Sequence, residues 1–326
     1  MLSKHKSSAH LDKARLNKKY ETIKLTINFN GLNMVKNIPT LSIVMPCLNE
    51  AENLEALLPQ LKLAQPTAEI LVIDDGSTDL SKSICEQHGI KVISHPHSLG
   101  NGASIKTGAR NASGDIIVFM DADGQHNPDD IQRLLSKLAE GYDMVVGARQ
   151  PNSHASTKRF LGNAIFNKMA SFMTGQNIED LTSGYRAVRA NHFRKFLYLL
   201  PNGFSYPTTS TMAFFRSALP VAYIPIKAGK REGKSKIKLL KDGLRFFIII
   251  LKIGALFSPM RLFLPTSAFC FLCGVINHID SYLSSGTFSN GSLFLYVASV
   301  FIFLMGILSE QISSLHYRNS EKEGHR

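Results

Sequence analysis

Only four cysteines occur in the 326 residues, Cys47, Cys85, Cys270 and Cys273. Their positions form no disulfide framework, which excludes a small cross-linked secreted scaffold and points to a reducing, cytosolic setting. Residues 1–39 lack an apolar run long enough for the core of a secretory signal. They read instead as a disordered basic tail, with Met34 as a second candidate start. No internal repeat is visible, so a solenoid or propeller is excluded. Gly100-Asn-Gly102 lacks the third glycine of a dinucleotide fingerprint, and no acidic partner follows at the required distance. Acidic residues are in deficit, 25 against 37 Lys and Arg, which leaves a formal charge of +12.

That charge implies an anionic partner: nucleic acid, a membrane surface or a phosphorylated substrate. Its distribution narrows the choice. Basic residues gather before Met34 and again from Lys227 to Arg261. The second group flanks two apolar stretches, Leu262–Ile279 and Phe288–Leu308, each near the length that spans a bilayer. The polar linker Asp280–Gly291 contains no Lys or Arg, whereas Lys241, Arg245, Lys252 and Arg261 precede the pair and Arg318, Lys322 and Arg326 follow it. The positive-inside rule then places both outer ends in the cytoplasm, in a protein integral to the cytoplasmic membrane. Membrane is the expected partner and nucleic acid is not; self-association stays open. Just upstream, Ile237, Leu240, Leu244, Phe247, Ile248 and Leu251 recur at helical spacing beside Lys238, Lys241, Arg245 and Lys252. Such a stripe suits an amphipathic helix lying in the membrane interface.

From Leu41 to Arg149 apolar runs alternate with helical patterns. Strands are expected at Leu41–Met45, Ile70–Ile73, Lys91–Ser94, Ile116–Met120 and Met144–Gly147, with another at Val221–Pro225. Helices are expected near Glu50–Ala64, Asp79–His88, Gly102–Asn111 and Pro128–Glu140. The alternation predicts an α/β domain with a mainly parallel sheet, its strands apolar because helices cover both faces. Residues 149–225 read as polar loops and short helices forming the acceptor half. The expected organisation is a tail over 1–39, an α/β domain over 40–235, an interfacial helix over 236–258, two membrane helices over 259–312 and a cytoplasmic tail over 313–326.

Ligands of open α/β sheets bind beyond the carboxyl ends of the strands, and chemistry is concentrated there. Asp121-Ala-Asp123 follows the strand ending at Met120. Two carboxylates at this spacing can share one hard cation, Mg²⁺ or Mn²⁺, which completes its shell with water and substrate phosphate. Gln125 can add a carbonyl oxygen. Asp74-Asp75-Gly76-Ser77 follows the second strand, where carboxylates can accept from a base N–H or ribose hydroxyls. Gly76 permits a sharp turn, and Ser77 or Thr78 can cap the next helix. The first strand ends in Pro46, Asn49 and Glu50. Cys270-x-x-Cys273 falls inside an apolar stretch and reads as packing.

The segments Met45-Pro-Cys-Leu-Asn-Glu50, Asp74-Asp-Gly-Ser-Thr-Asp79 and Asp121-Ala-Asp-Gly-Gln-His126 together resemble family 2 glycosyltransferases of the GT-A fold. More closely, they resemble the dolichol-phosphate mannose synthase and polyprenyl-phosphate glycosyltransferase group. The resemblance continues through Gly147-Ala-Arg149, Asp180-Leu-Thr-Ser-Gly-Tyr-Arg186 and Arg231-Glu-Gly-Lys-Ser-Lys236 into the paired apolar stretches, covering residues 41–310. It implies a nucleotide-sugar donor and a polyprenyl phosphate acceptor. Pro46, Asn49, Glu50, Asp74, Asp75, Gly76 and Ser77 would hold the donor. Asp121, Asp123 and Gln125 would hold metal and diphosphate, with Arg149 near the sugar or phosphates. Arg159, Ser183, Arg186, Arg231, Lys234, Ser235 and Lys236 would lie near the acceptor phosphate, a role that suits the guanidinium fork and the lysine point charge.

A lipid phosphate is already an anionic nucleophile, so positioning and leaving-group stabilisation suffice. Asp180 is the candidate if a base is needed; it could equally orient Arg186 or cap a turn. Transfer to a sugar hydroxyl would make that base essential. A non-catalytic sugar-nucleotide-binding membrane protein is a further alternative, disfavoured by the intact Asp121 and Asp123. The residues do not select the sugar.

Overall fold

The computed structural model describes residues 39–150, 157–203, 205–227 and 258–323, with the single positions 229, 251, 254 and 255, and backbone alone at 157–162 and 316–323. Residues 1–38 of the expected tail and nearly all of the amphipathic segment over 236–258 lie outside the described residues.

Seven strands form one sheet in the order β3-β2-β1-β4-β6-β5-β7. They are β1 (Leu41–Cys47), β2 (Glu69–Asp74), β3 (Lys91–Ser94), β4 (Ile116–Phe119), β5 (Met144–Arg149), β6 (Arg186–Arg189) and β7 (Val221–Ile226). Strands β1 to β4 run parallel, as do β5 and β7. Between these two groups β6 runs antiparallel to both β4 and β5. The expectation of a mainly parallel sheet holds, with one reversed strand that sequence reading missed. Its four residues, Arg-Ala-Val-Arg, carry no apolar run to announce them.

Neighbouring residues of a strand point to opposite faces, and the core divides accordingly. Ile43, Met45, Val72, Val118 and Val145 pack on one face, under α1 (Ala51–Ala64) and α4 (Asp130–Leu138). In α1, Leu54, Leu57, Leu58 and Leu61 are buried at the spacing of one helix stripe. Val44, Leu71, Ile73, Ile117, Phe119 and Val146 pack on the other face. Against them lie α3 (Asn101–Asn111), α5 (Thr157–Thr174), α6 (Ala190–Arg194) and α7 (Tyr206–Arg216). The short α2 (Ser81–Gln87) follows β2. Helices α5 and α7 lie in the stretch read as polar loops and short helices, and α5, at 18 residues, is longer than expected. Helix α7 contains Thr208-Thr-Ser-Thr211, whose branched and hydroxylated side chains are poor helix formers in isolation. Burial supplies what propensity lacks.

Two long helices end the described chain, α8 (Pro259–Ser285) and α9 (Asn290–Glu323). Both are long and apolar enough to cross a membrane. Each runs past its expected apolar window, so most of the expected linker Asp280–Gly291 is helical. Polar residues end the hydrophobic stretch but not the helix, which stops where Gly286 adopts φ 65°. The hairpin packs through small residues: Gly274 lies against Tyr296 and Gly306 against Phe263. Ser267 Oγ donates to Ser299 O at 2.9 Å. Close approach at small residues, with a polar bond across the pair, is how helices associate where no water drives them together.

Candidate active site

Strands β2, β1 and β4 are neighbours, so their carboxyl ends open onto one edge. Cys47 of β1 stands in register with Asp74 of β2. Met120 N, just past β4, donates to Val44 O of β1 at 3.1 Å. Because β6 is reversed, the residues before it reach the same edge as the residues after β4 and β5. Gly147 N donates to Tyr185 O at 2.9 Å. This brings the segment around Asp180 beside Asp121 and Arg149.

The first two loops are largely occupied with each other. Asn49 has φ 58°, its N–H donates to Ser77 Oγ at 2.9 Å, and its Oδ1 accepts Thr78 N at 2.8 Å. Asp74 Oδ1 accepts Ser77 N at 2.9 Å. Asp79, rather than Ser77 or Thr78, serves the following helix by accepting Ser81 N at 3.0 Å. Asp75 is the most fully bonded of the expected donor-binding residues. Its Oδ1 meets His95 Nδ1 at 2.8 Å and Leu99 N at 2.9 Å, while Oδ2 accepts Ser98 Oγ at 2.7 Å and Gly100 N at 2.9 Å. A carboxylate has about four acceptor positions, and these four are filled by the 95–100 loop. Burial pushes the Asp75 pKa up, but these bonds outweigh it and hold it below the usual range. The glycine-rich start of α3 is closed as well: Asn202 O and Gly203 O accept Ala103 N at 2.9 Å and Gly102 N at 3.1 Å.

The Asp121–Asp123 turn is held from below. Asp121 N donates to His126 Nδ1 at 3.3 Å, and the His126 ring stacks on Tyr185 with centroids 4.6 Å apart. Burial drives the His126 pKa down, so the imidazole is neutral and uses Nδ1 as an acceptor. Tyr185 Oη donates to Asn127 O at 2.9 Å. Gln125 N donates to Asp123 Oδ1 at 3.2 Å, and Gln125 O accepts Gly229 N at 2.9 Å. A methyl group at Gly184 would sit 3.0 Å from Asp121 Oδ2, so glycine there lets this carboxylate lie against the backbone before β6. Among the described residues no three His, Cys, Asp or Glu side chains gather into a metal cage. A pair of carboxylates fits instead a hard cation that keeps water and phosphate oxygens as its other ligands.

Arg149 and Asp180 form a side-on pair, with Nε to Oδ2 at 2.8 Å and Nη2 to Oδ1 at 2.9 Å. Asp180 also accepts Arg149 N at 3.2 Å and the N–H groups of Thr182 and Ser183, each at 3.1 Å. Burial raises the Asp180 pKa, but the bonds and charge of Arg149 and the backbone donors overcome it and leave a net depression. A carboxylate so occupied orients Arg149 and closes a turn; it is poorly placed to take a proton. Burial opposes the Arg149 charge, while Asp180 and then Asp121 favour it, and its pKa is raised. Arg149 is thus within electrostatic reach of the Asp121–Asp123 turn.

Arg186, expected near the acceptor phosphate, lies inside the domain. It is fully buried, and its guanidinium donates to Pro207 O at 3.0 Å, Ser210 Oγ at 2.8 Å, Thr211 Oγ1 at 3.1 Å and to Ser183 O. It ties β6 to α7 and offers no face to an acceptor phosphate. Ser183 is buried, with Oγ lacking a partner among the described residues. Arg231, Lys234, Ser235 and Lys236, and the side chain of Arg159, lie outside the described residues. Sequence reading missed Gly184, Tyr185 and Thr182 as site residues, although all three stand inside a motif it had singled out. Thr182 Oγ1 accepts Arg149 Nη2 at 2.5 Å.

Residues 42–197 match the family described as Glycosyl transferase family 2, and residues 258–315 match the GtrB C-terminal hairpin. The undecaprenyl-phosphate 4-deoxy-4-formamido-L-arabinose transferase of Serratia proteamaculans (strain 568) is 30% identical over 316 residues, covering 87% of this chain and 92% of that protein. The chain belongs to glycosyltransferase family 2. The polyprenol monophosphomannose synthase of Mycolicibacterium smegmatis is 28% identical over 211 residues, 60% of this chain and 80% of that protein. Among solved structures, glucosyl-3-phosphoglycerate synthase from Mycobacterium tuberculosis, in complex with Mn²⁺, UDP-glucose and phosphoglyceric acid, superposes with a TM-score of 0.55. At 20% identity over 66% of this chain and 80% of that one, the likeness establishes the GT-A fold alone. The glycosyltransferase is a membrane protein, with two apolar helices in the hairpin that its second family match describes.

Proposed function

We propose that this glycosyltransferase moves a sugar from a nucleotide sugar to a polyprenyl phosphate at the cytoplasmic face of the membrane, with inversion at the anomeric carbon. One observation carries the reading. The reversed strand β6 brings Asp180 to the edge that holds Asp121, Asp123 and Arg149, in a domain fastened to a membrane hairpin. The relatives named for undecaprenyl-phosphate and polyprenol substrates support the acceptor class.

Asp121 and Asp123 would hold one Mg²⁺ or Mn²⁺, with Gln125 beside them. A divalent cation there would neutralise charge on the departing nucleoside diphosphate. The structural neighbour bound to Mn²⁺ and UDP-glucose supports a metal of this kind. Pro46, Glu50 and Asp74 remain the candidates for the nucleoside, since Asp75 is spent on its own loop. Arg149 faces the sugar or its phosphates and is kept in place by Asp180. The acceptor phosphate oxygen attacks the anomeric carbon as the bond to the diphosphate breaks, and an anionic nucleophile needs no proton removed. Gly229 is bonded to the Asp121–Asp123 turn through Gln125 and precedes Arg231 by two residues. That contact supports Arg231, Lys234, Ser235 and Lys236 as phosphate-binding residues for the lipid.

Detergent-purified protein incubated with a panel of sugar nucleotides and a polyprenyl phosphate should yield one glycosyl phospholipid by mass spectrometry. Transfer to a glycan hydroxyl, with none to polyprenyl phosphate, would overturn the reading.

A further inference from the structure

Asp180 holds Arg149, but Asp180 stands on a short irregular segment that needs support of its own. That support comes from one face of α5. Thr174, Ser171 and Asn167 are spaced three and four residues apart, so they share a helix face. Each bonds the backbone of the segment running back past them. Gln176 N donates to Thr174 Oγ1 at 3.2 Å, and Ile178 N to Ser171 Oγ at 3.0 Å. Leu181 N donates to Asn167 Oδ1 at 3.0 Å, while Asn167 Nδ2 donates to Glu179 O at 2.6 Å. Asn167 therefore grips the chain on both sides of Asp180 with the two ends of one amide. No other α5 side chain does this among the described residues.

The far end of α5 is held in turn by the membrane hairpin. Arg261, in the first turn of α8, donates from Nη1 to Phe172 O at 2.8 Å. Its guanidinium rests on Gly175, where an added Cβ would lie 2.8 Å from Nη1. Gly175 has φ 72°, the left-handed conformation of a helix end, and Arg261 thus brings a cation to the carbonyl end of α5. Gly254 packs on Met173, and Leu262 packs against the core cluster that contains Met173. Arg261 and Gly254, from the hairpin and its approach, thus meet α5 at or near its last turn.

We propose that Asn167 is the positioning residue for the Asp180–Arg149 pair, and that the hairpin holds α5 in register for it through Arg261. The proposal rests on the functional reading above for its kinetic part only. A rigid segment keeps the Arg149 fork aimed at the donor or acceptor phosphates; a loosened one lets the pair sample other geometries. The hairpin is then part of the catalytic scaffold as well as an anchor.

The test uses the full-length protein in lipid nanodiscs. Hydrogen exchange of the peptide spanning 176–183 is measured beside turnover. Losing the two Asn167 bonds weakens local protection, so Asn167→Ala should speed exchange there by about tenfold. Arg261→Ala should speed it several-fold, and Arg261→Lys, which can still donate to Phe172 O, should restore it. Asn167→Ala should lower kcat with little change in KM for the sugar nucleotide. Combined with Arg149→Lys it should cost no more than Arg149→Lys alone, the non-additivity expected of residues acting through one another. Unchanged exchange, or kinetic losses that multiply in the double variant, would overturn the proposal. If Asn167→Ala does not fold, Asn167→Ser and the exposed Arg261→Ala decide the matter by exchange. Failure of the wild-type protein to glycosylate polyprenyl phosphate would refute the functional reading and leave the exchange result standing by itself.

Discussion

Arg149 and Asp180 meet fork to fork, with Nε–Oδ2 at 2.8 Å and Nη2–Oδ1 at 2.9 Å, across 31 residues of chain. The contact joins the end of β5 to the segment before β6. It pairs Asp180, read from the sequence as a base if one is needed or else as an orienting or turn-capping group, with Arg149.

Asp180→Asn should therefore destabilise the protein by about 3 kcal/mol, because it leaves a mostly buried guanidinium without its counter-charge. The pKa of Asp180 is depressed on folding, so the native state favours its ionised form. The stabilisation is complete above the unfolded carboxylate range, near pH 4, and is lost as pH falls through the lower folded value. Melting curves in detergent at falling pH should converge for wild type and variant. A constant difference down to the acid limit would count against this account.

Asp121 and Asp123 should bind Mn²⁺ weakly alone and more tightly with a nucleoside diphosphate present, since two protein carboxylates leave most of the shell open. Paramagnetic resonance of Mn²⁺ can follow both states. Asp123→Asn should abolish the nucleotide-dependent signal, and chelator should abolish transfer. Full turnover in excess chelator would refute a metal role.

Arg186→Gln should lower stability by about 2–3 kcal/mol, because several buried acceptors on α7 and before β6 lose their donor. Protein that still folds should keep the wild-type KM for polyprenyl phosphate. A large rise in that KM, with stability intact, would return Arg186 to the acceptor site.

The hairpin should place both its ends in the cytoplasm. A cysteine at Ser285, where α8 ends, should react with an impermeant reagent from outside the cell, and one at Ser320 should not. The reverse labelling pattern would invert the topology.

Cys47 and Cys85 should resist alkylation in the folded protein at pH 8. Burial is the main force pushing their thiols up, to about 11 and about 12. The thiolate is the reactive form, so both should label fully only after denaturation. Rapid labelling of either in native protein would show that this face of the sheet opens.

Much of the fold was legible because its signals are local. The apolar strands β1, β2, β4 and β5, the stripe in α1 and the two long apolar stretches each announce themselves within a few residues. Asp121 and Asp123 could be read from their position after a buried strand. The reversed β6 could not: four residues with an arginine at each end are a strand only because β4 and β5 lie on either side. Helix α7 is likewise marked by burial more than by periodicity.

The sequence by itself determined the motifs, the order of strand and helix over the first half of the sheet, and the apolar pair that reaches the membrane. These depend on residue type and spacing along the chain. Only the tertiary structure decided which polar groups remained for chemistry. Asp74 and Asp75 look equivalent in the chain, yet four donors from the 95–100 loop use up Asp75. Arg149 and Arg186 look equally suited to phosphate, yet one lies at the strand-end edge and the other is sealed beneath α7. Hydrogen-bond saturation and burial are set by partners distant in sequence, and no local pattern encodes them.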